Sequence, residues 1–318
     1  MDFARQVERL DSWQQRHRAP AFIVAVALRY REDRGRDFGA LLSYYGFISM
    51  FPLLLVTVTV LGIVLRDNAE LRNRILDTVY SKIPVVGTQL RHDATGLSSS
   101  GWLLALGLVV SIWAGLAVMR EAELAFDLQW GASTQRRPSF VGAQIRALAV
   151  LGVVGVGLLA GVAVTGLTTS STGLPWEGRV VGGALAIALN IVVLTLAFRL
   201  LQRSPVPWRD LVVGGALGGC ALWVLQLVGA GYVGHVVVGA SDVYGAFAIV
   251  LGLLVWLALL ARVALLANEV NVVRSGVFWP RSLGRSPLTA GDRNAMAQTA
   301  AKEALLQAWP TAPGTKAS

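Results

Sequence analysis

Residues 147–176 run for 30 positions without one charged side chain, and residues 38–65 and 243–261 are equally free of charge. A bilayer core about 30 Å thick is crossed by roughly 20 apolar residues in a helix. A chain in hydrocarbon must satisfy its own backbone N–H and C=O groups, so runs of this kind fold as helices or not at all. Only 15% of the 318 residues are charged, against about 25% in ordinary soluble domains. The sequence therefore specifies an all-α integral membrane protein.

Shorter apolar runs complete six expected transmembrane helices, at about 38–65, 101–119, 147–169, 180–201, 211–233 and 244–268. Basic residues test this order. The segments that would share a side with the N-terminus carry 21 Lys and Arg, the alternate segments carry 6, and Arg262 stands inside a span. Cytoplasmic loops hold the basic excess, so both termini are expected in the cytoplasm. The net charge of +9 then sets orientation, and no nucleic-acid partner is expected.

The chain divides into an arm (1–37), a six-helix transmembrane domain (38–272) with an external loop at 66–100, and a tail (273–318). In the arm, Phe3, Val7, Leu10 and Trp13 recur at helical spacing, away from Arg5, Arg9 and Arg16. "AFIVAVALRY" after Pro20 is too short to span. Both stretches read as interfacial N-terminal helices, with arginines on anionic headgroups and an apolar face in the acyl region. Leu71, Ile75 and Val79 share a helical face in the external loop, which suggests a short amphipathic helix over the outer mouth. The tail is rich in Pro, Gly and Ala and is expected to be largely disordered. The polar N-terminus carries no cleavable signal pattern.

Polar groups within the spans are the candidates for function. Tyr45, Ser49 and Pro52 lie at i, i+4 and i+7, on one face of the first span. Pro52 takes the usual partner from the Ile48 carbonyl, and Ser49 is placed to replace it. Such a face turns toward protein or a hydrated cavity; it either lines a pathway, as kinked helices of transporters do, or packs against a neighbour. Asn190, midway along the fourth span, is a further pathway candidate, and it and Gln226 are equally suited to interhelical hydrogen bonds. Arg262 either snorkels to the cytoplasmic face or pairs within a cytoplasmic-end charge cluster with Glu121, Glu123 or Glu269. The pairs Gly157/Gly161, Gly214/Gly218 and Gly215/Gly219 are spaced for close helix packing. Trp102, Trp176, Trp208 and Trp279 flank spans as interfacial anchors.

Catalytic chemistry has no visible residues, and no enzyme is expected. His17, His92 and His235 fall in three separate segments with no metal-ligand spacing. There is no phosphate-binding loop, and neither a serine nor Cys220 sits in a nucleophile motif. No cofactor and no metal are expected.

Four stretches carry a resemblance. "ALLSYYGFISMFPLLL" (40–55), "WAGLAVMREAELAFDLQW" (113–130), "VPWRDLVVGGALGGCALWVL" (206–225) and "DVYGAFAIVLGLLVWLALLARVALLANEVN" (242–271) are similar to the YihY/BrkB family of bacterial inner-membrane proteins. Older members of that family were labelled ribonuclease BN. Tyr244, Gly245, Trp256, Glu269 and Asn271 fit family positions, whereas Arg262 stands where an apolar residue is expected, so no family role passes to it. The likeness covers about residues 20 to 272. It implies a six-helix protein supporting envelope integrity or moving a lipid or solute across the inner membrane, with membrane lipids and an unidentified lipid or small molecule as partners. A non-transporting envelope scaffold is the alternative. The nuclease label finds no clustered His/Asp ligands to support it. The oligomeric state is open.

Overall fold

The computed structural model describes residues 2–64, 101–131, 140–170, 176–202, 206–232, 246–283 and 288–307. Nine helices occur among them, and no strand: α1 (Asp2–Arg16), α2 (Arg18–Glu32), α3 (Gly35–Val64), α4 (Gly101–Trp130), α5 (Phe140–Ser170), α6 (Trp176–Leu201), α7 (Trp208–Tyr232), α8 (Ala246–Ser275) and α9 (Ala290–Gln307). Three stretches among the described residues are long and apolar enough to cross a membrane: Val180–Leu201 of α6, Trp208–Gly229 of α7 and Val250–Ser275 of α8. Each expected span lies on a long helix, but α4 and α8 run on well past the expected ends at 119 and 268. The external loop, with Leu71, Ile75 and Val79, lies outside the described residues.

The chain forms two compact units. One comprises residues 1–37, 123–223 and 262–318, the other residues 38–122 and 224–261. In the first unit, α5 runs along α6 with Gly157 seated on Val193 and Gly161 near Leu189, an antiparallel register. Glycines then let α7 wedge between two neighbours. A methyl at Gly215 or Gly219 would strike Thr195 or Ile191 of α6, and one at Gly214 or Gly218 would strike Ala267 of α8. The small-residue pairs read from the sequence thus act as contact surfaces, where the lack of side chains lets backbones approach and dispersion contacts accumulate. The outward faces carry Val156, Val181, Val192 and Leu217, all more than half exposed. Apolar surface of that extent suits hydrocarbon and not water.

The arm and the tail form a second layer of this unit. Ala25 and Val26 of α2, Val272 and Val273 of α8, Phe278 in the following turn and Ala295 of α9 close a small apolar core, with Phe22, Trp130 and Trp279 packed on it. On α2, Ala21, Ala25, Val26 and Tyr30 are buried against protein, while Ile23 stays 66% exposed. The tail, expected to be largely disordered, contains the 18-residue α9. Its start is fixed by a reciprocal cap in which the Asp292 N–H donates to Thr289 Oγ1 (3.1 Å) and the Thr289 N–H to Asp292 Oδ2 (3.0 Å). Such a box satisfies donors that a helix start leaves open. In α1, Leu10 and Trp13 are exposed, as are Arg9 and Arg16.

Arg281 ties the layer together. Its Nε donates to Asp292 Oδ1 (2.7 Å) and its Nη2 to Glu32 Oε1 (2.6 Å), while its carbonyl accepts from Gln14 Nε2 (2.7 Å). Asp11 accepts from the Leu283 N–H and from the Ser282 hydroxyl, each at 2.9 Å. Burial pushes the Asp11 and Asp292 carboxyls up, but the donors around them prevail and leave both below the ordinary value of 3.8. For Asp11 these are Leu283, Gln14, Gln15 and Ser282; for Asp292 they are Thr289, Arg281 and Ser282.

In the second unit Gly46 faces Leu257 and Gly229 receives the Trp256 ring. Trp113 points outward, 70% exposed.

Candidate functional site

One end of the first unit holds a set of polar side chains with almost no access to solvent. Asn268, Glu269 and Asn271 on α8 each have 0% exposure, Gln129 at the end of α4 has 1%, and Gln202 just after α6 is also buried. The segment "ANEVN" places three polar groups within four residues. In a helix such a run points to more than one side, so it is fully covered only where several elements converge.

Asn268 is the hub. Its Nδ2 donates to Gln129 Oε1 (2.6 Å), and its Oδ1 accepts from Gln202 Nε2 (2.8 Å) and Trp130 Nε1 (3.2 Å). Gln129 Nε2 donates in turn to the Leu265 carbonyl (3.1 Å). One turn along α8, Asn271 Oδ1 accepts the Gly214 N–H of α7 at 2.6 Å. The cluster therefore joins the C-terminal ends of α4, α6 and α8 to the N-terminal end of α7. Buried amides wired in this way fix a single register, since each lost partner leaves a desolvated group behind.

Arg29 on α2 connects this cluster to the terminal layer. Its Nε pairs with Asp33 (2.9 Å), Nη2 donates to the Gln129 carbonyl (3.3 Å) and to Gln298 Oε1 of α9, and the guanidinium lies 4.7 Å from the centre of the Phe278 ring. Gln298 Nε2 donates to the Trp130 carbonyl (3.3 Å). A guanidinium this deep is tolerated only when paired and hydrogen-bonded. Nearby, Tyr30 donates its hydroxyl to the Gly35 carbonyl at 2.9 Å. Burial raises the Tyr30 phenol; Arg262 and Arg36 pull it down and Glu269 pushes it up, for a net rise above 10.0.

The residues singled out from sequence separate into groups. Glu269 and Glu123 are both buried in the first unit, Arg262 of the same unit is exposed, and Glu121 belongs to the second unit. Among the described residues no ion pair of Arg262 is found. Tyr45 and Ser49 are half-buried in the second unit, with the Tyr45 ring edge-on to Tyr44 at 5.5 Å. The Ser49 hydroxyl donates to Gly46 O (2.9 Å) and not to the Ile48 carbonyl that Pro52 leaves open. A hydroxyl on a helix reaches back to the preceding turn, and position i−3 was the nearer acceptor. Pro52 lies within α3, and its side chain is outside the described residues. Asn190 is half-buried on α6 in the first unit.

Sequence reasoning missed Asn268, Gln129, Gln202, Arg29 and Asp33. A usable signal existed: amides crowded at span ends, and an Arg–Asp pair at i, i+4 flanking an apolar helix.

The family model for virulence factor BrkB matches residues 26–284. That range contains the whole polar cluster and leaves out α1 and α9. The inner membrane protein YhjD of Escherichia coli (strain K12) is 26% identical over 275 residues, 79% of this chain and 80% of the relative. An uncharacterized protein of Dickeya dadantii (strain 3937) is 24% identical over 123 residues, 38% of each chain. No solved structure matches the chain. Long apolar helices and a family match across most of the sequence agree: the chain is a helical membrane protein of the BrkB family.

Proposed function

We propose that the protein is a six-span inner-membrane protein, both ends cytoplasmic, that moves a lipid or small solute across the bilayer. In this reading the Asn268–Glu269–Asn271 cluster is the plug at the cytoplasmic end. A parity argument supports the even count. α2 and α9 pack on the end of α8, which supports a common side for the two ends and an even number of crossings between them. The three helices that meet the length and hydropathy requirement are odd in number, and at least one of α3, α4 and α5, each 30 or 31 residues long, must cross as well. At 1.5 Å per residue each reaches about 45 Å, and six crossings follow if all three span. The arginine excess in the segments expected to share a side with the termini supports a cytoplasmic terminal layer.

The observation that carries transport is the fully buried Glu269 between two amide residues at the end of the last long helix. Ionisable groups in such places mark substrate or ion paths. The Tyr45/Ser49/Pro52 face and Asn190 are the candidate pathway lining. No enzymatic step and no nucleic-acid partner are assigned.

The test is flux. Full-length protein in liposomes is assayed for lipid scrambling and for a panel of anionic, cationic and zwitterionic solutes, alongside Glu269→Gln and Tyr45→Phe. Transport predicts wild-type flux above empty liposomes that Glu269→Gln lowers at least tenfold while the protein stays folded. Flux equal to empty liposomes across the panel rejects it. The envelope scaffold is the second reading, favoured by the hydrogen bonds that close the cluster around Asn268. It predicts substitutions that lower thermal stability with no flux in any sample.

A further inference from the structure

On the first unit, α5 and α6 enclose a groove of about 470 Å³, within the roughly 300–1,000 Å³ range of small-molecule sites. Gly152, Val156 and Gly157 of α5 and Leu189, Val193 and Leu196 of α6 line it, and every lining residue is apolar or glycine. Among the described residues of the unit no other helix fills it: Val156 is 67% exposed and Val192 52%.

The same two helix faces end in cations. Arg146 precedes the lining residue Ala149 by three positions, and Arg199 follows Leu196 by three, so each continues the groove stripe by one helical turn. Because α5 and α6 are antiparallel, with Gly157 on Val193, both arginines fall at the same end. Arg199 is held there, donating from Nη1 to the Val206 carbonyl at 3.0 Å with its guanidinium 5.7 Å from the Trp208 ring centre. Among the described residues one of its five N–H donors is used, on the Val206 carbonyl. An apolar channel with a pinned, half-buried guanidinium at its mouth, a second arginine beside it and an exposed Trp208 ring at headgroup level is complementary to one molecule in a bilayer. That molecule has an acyl chain and an anionic head.

We propose that this groove is a binding site for an anionic phospholipid, an acyl chain lying against Gly152, Val156 and Val193 and the phosphate accepting from Arg199 and Arg146. Bidentate geometry suits guanidinium to phosphate, and basic pockets between transmembrane helices select anionic headgroups. The site rests on α5 and α6 lying in the bilayer and is independent of whether the chain moves any solute.

The experiment is native mass spectrometry of the full-length protein released from nanodiscs holding equal phosphatidylglycerol and phosphatidylcholine. Wild type is expected to keep phosphatidylglycerol adducts at least about fivefold over phosphatidylcholine. The double variant Arg146→Gln/Arg199→Gln loses that preference, whereas Arg209→Gln, the same charge change off the stripe, keeps it. Gly152→Leu fills the groove and removes the retained lipid; its Cβ starts in open space, with nothing within 4 Å, and an unchanged melting temperature checks that the fold is kept. Equal retention of both lipids by wild type overturns the proposal, as does a preference that survives the double variant or is lost equally with Arg209→Gln. A dimer that Gly152→Leu dissociates also overturns it, because a second copy then covers the groove. A protein that stays monodisperse without detergent or lipid instead refutes the membrane placement of α5 and α6.

Discussion

Arg281→Met should release α9 from the rest of the protein without unfolding the spans. Arg281 is 8% exposed and holds Asp292 and Glu32 at once. Removing one member of a buried ion pair costs about 3–5 kcal/mol. Here the loss is smaller, because the Glu32 side chain is 44% exposed and rehydrates, so its share falls to about 0–1 kcal/mol. Asp292 keeps donors from Thr289 and Ser282, and Met retains most of the apolar stem. A net loss of about 2–3 kcal/mol remains, which at 1.4 kcal/mol per decade makes local opening roughly 30–140 times more frequent. Hydrogen exchange of detergent-solubilised protein reads this directly, since α9 amides exchange through local opening. The expected result is α9 amides faster by that factor, with α6 amides unchanged. Acceleration below threefold in α9, or equal acceleration in α6, would refute the assignment of Arg281 as the tie between arm and tail.

Other substitutions probe the remaining contacts. Asn268→Ala strands Gln129, Gln202 and Trp130 groups out of reach of water, at about 1–3 kcal/mol for the first unsatisfied group, and should lower the melting temperature in detergent clearly more than Asn190→Ala does. Gly214→Ala drives a methyl into Ala267 and Asn271, an overpacking cost of about 1–3 kcal/mol; Gly152→Ala meets open space and should be neutral or stabilising by up to about 1 kcal/mol, so equal melting shifts would contradict the wedge. Acid should loosen the terminal layer. Because the folded pKa values of Asp11 and Asp292 lie below 3.8, their contribution is complete above 3.8 and is lost as pH falls through those lower values. Pepsin cleavage within α9 should therefore stay flat from about pH 5.5 to 4.5 and rise steeply below about pH 3.5; a rise centred near pH 6 would implicate another group.

Helix identity was legible because hydrocarbon enforces a local pattern: runs without charge became α3 through α8, and the glycine pairs on α7 became the wedge. The cluster was not, because its bonds join residues far apart in the chain, such as Gln129 with Asn268 and Arg29 with Gln298, and periodicity registers only neighbours. Past the expected span end at 119, Glu123 and Asp127 are both buried on a helix that continues to Trp130. In the tail, Pro, Gly and Ala suggested disorder, whereas Thr289 and Asp292 at cap spacing start α9 and a buried Arg281 docks it. Composition averages over a segment; one cap and one ion pair are enough to order it.

Sidedness of the two ends is the most direct test. In a background with Cys220 replaced by Ala, a single cysteine is placed at Leu10 on α1 or at Met296 on α9, both exposed, and labelled with a membrane-impermeant maleimide. Both positions should react in inverted inner-membrane vesicles and stay unlabelled in right-side-out ones. Labelling of the two positions from opposite sides, or of either one from the outside, would contradict an even-span protein whose joined ends seal the cytoplasmic face.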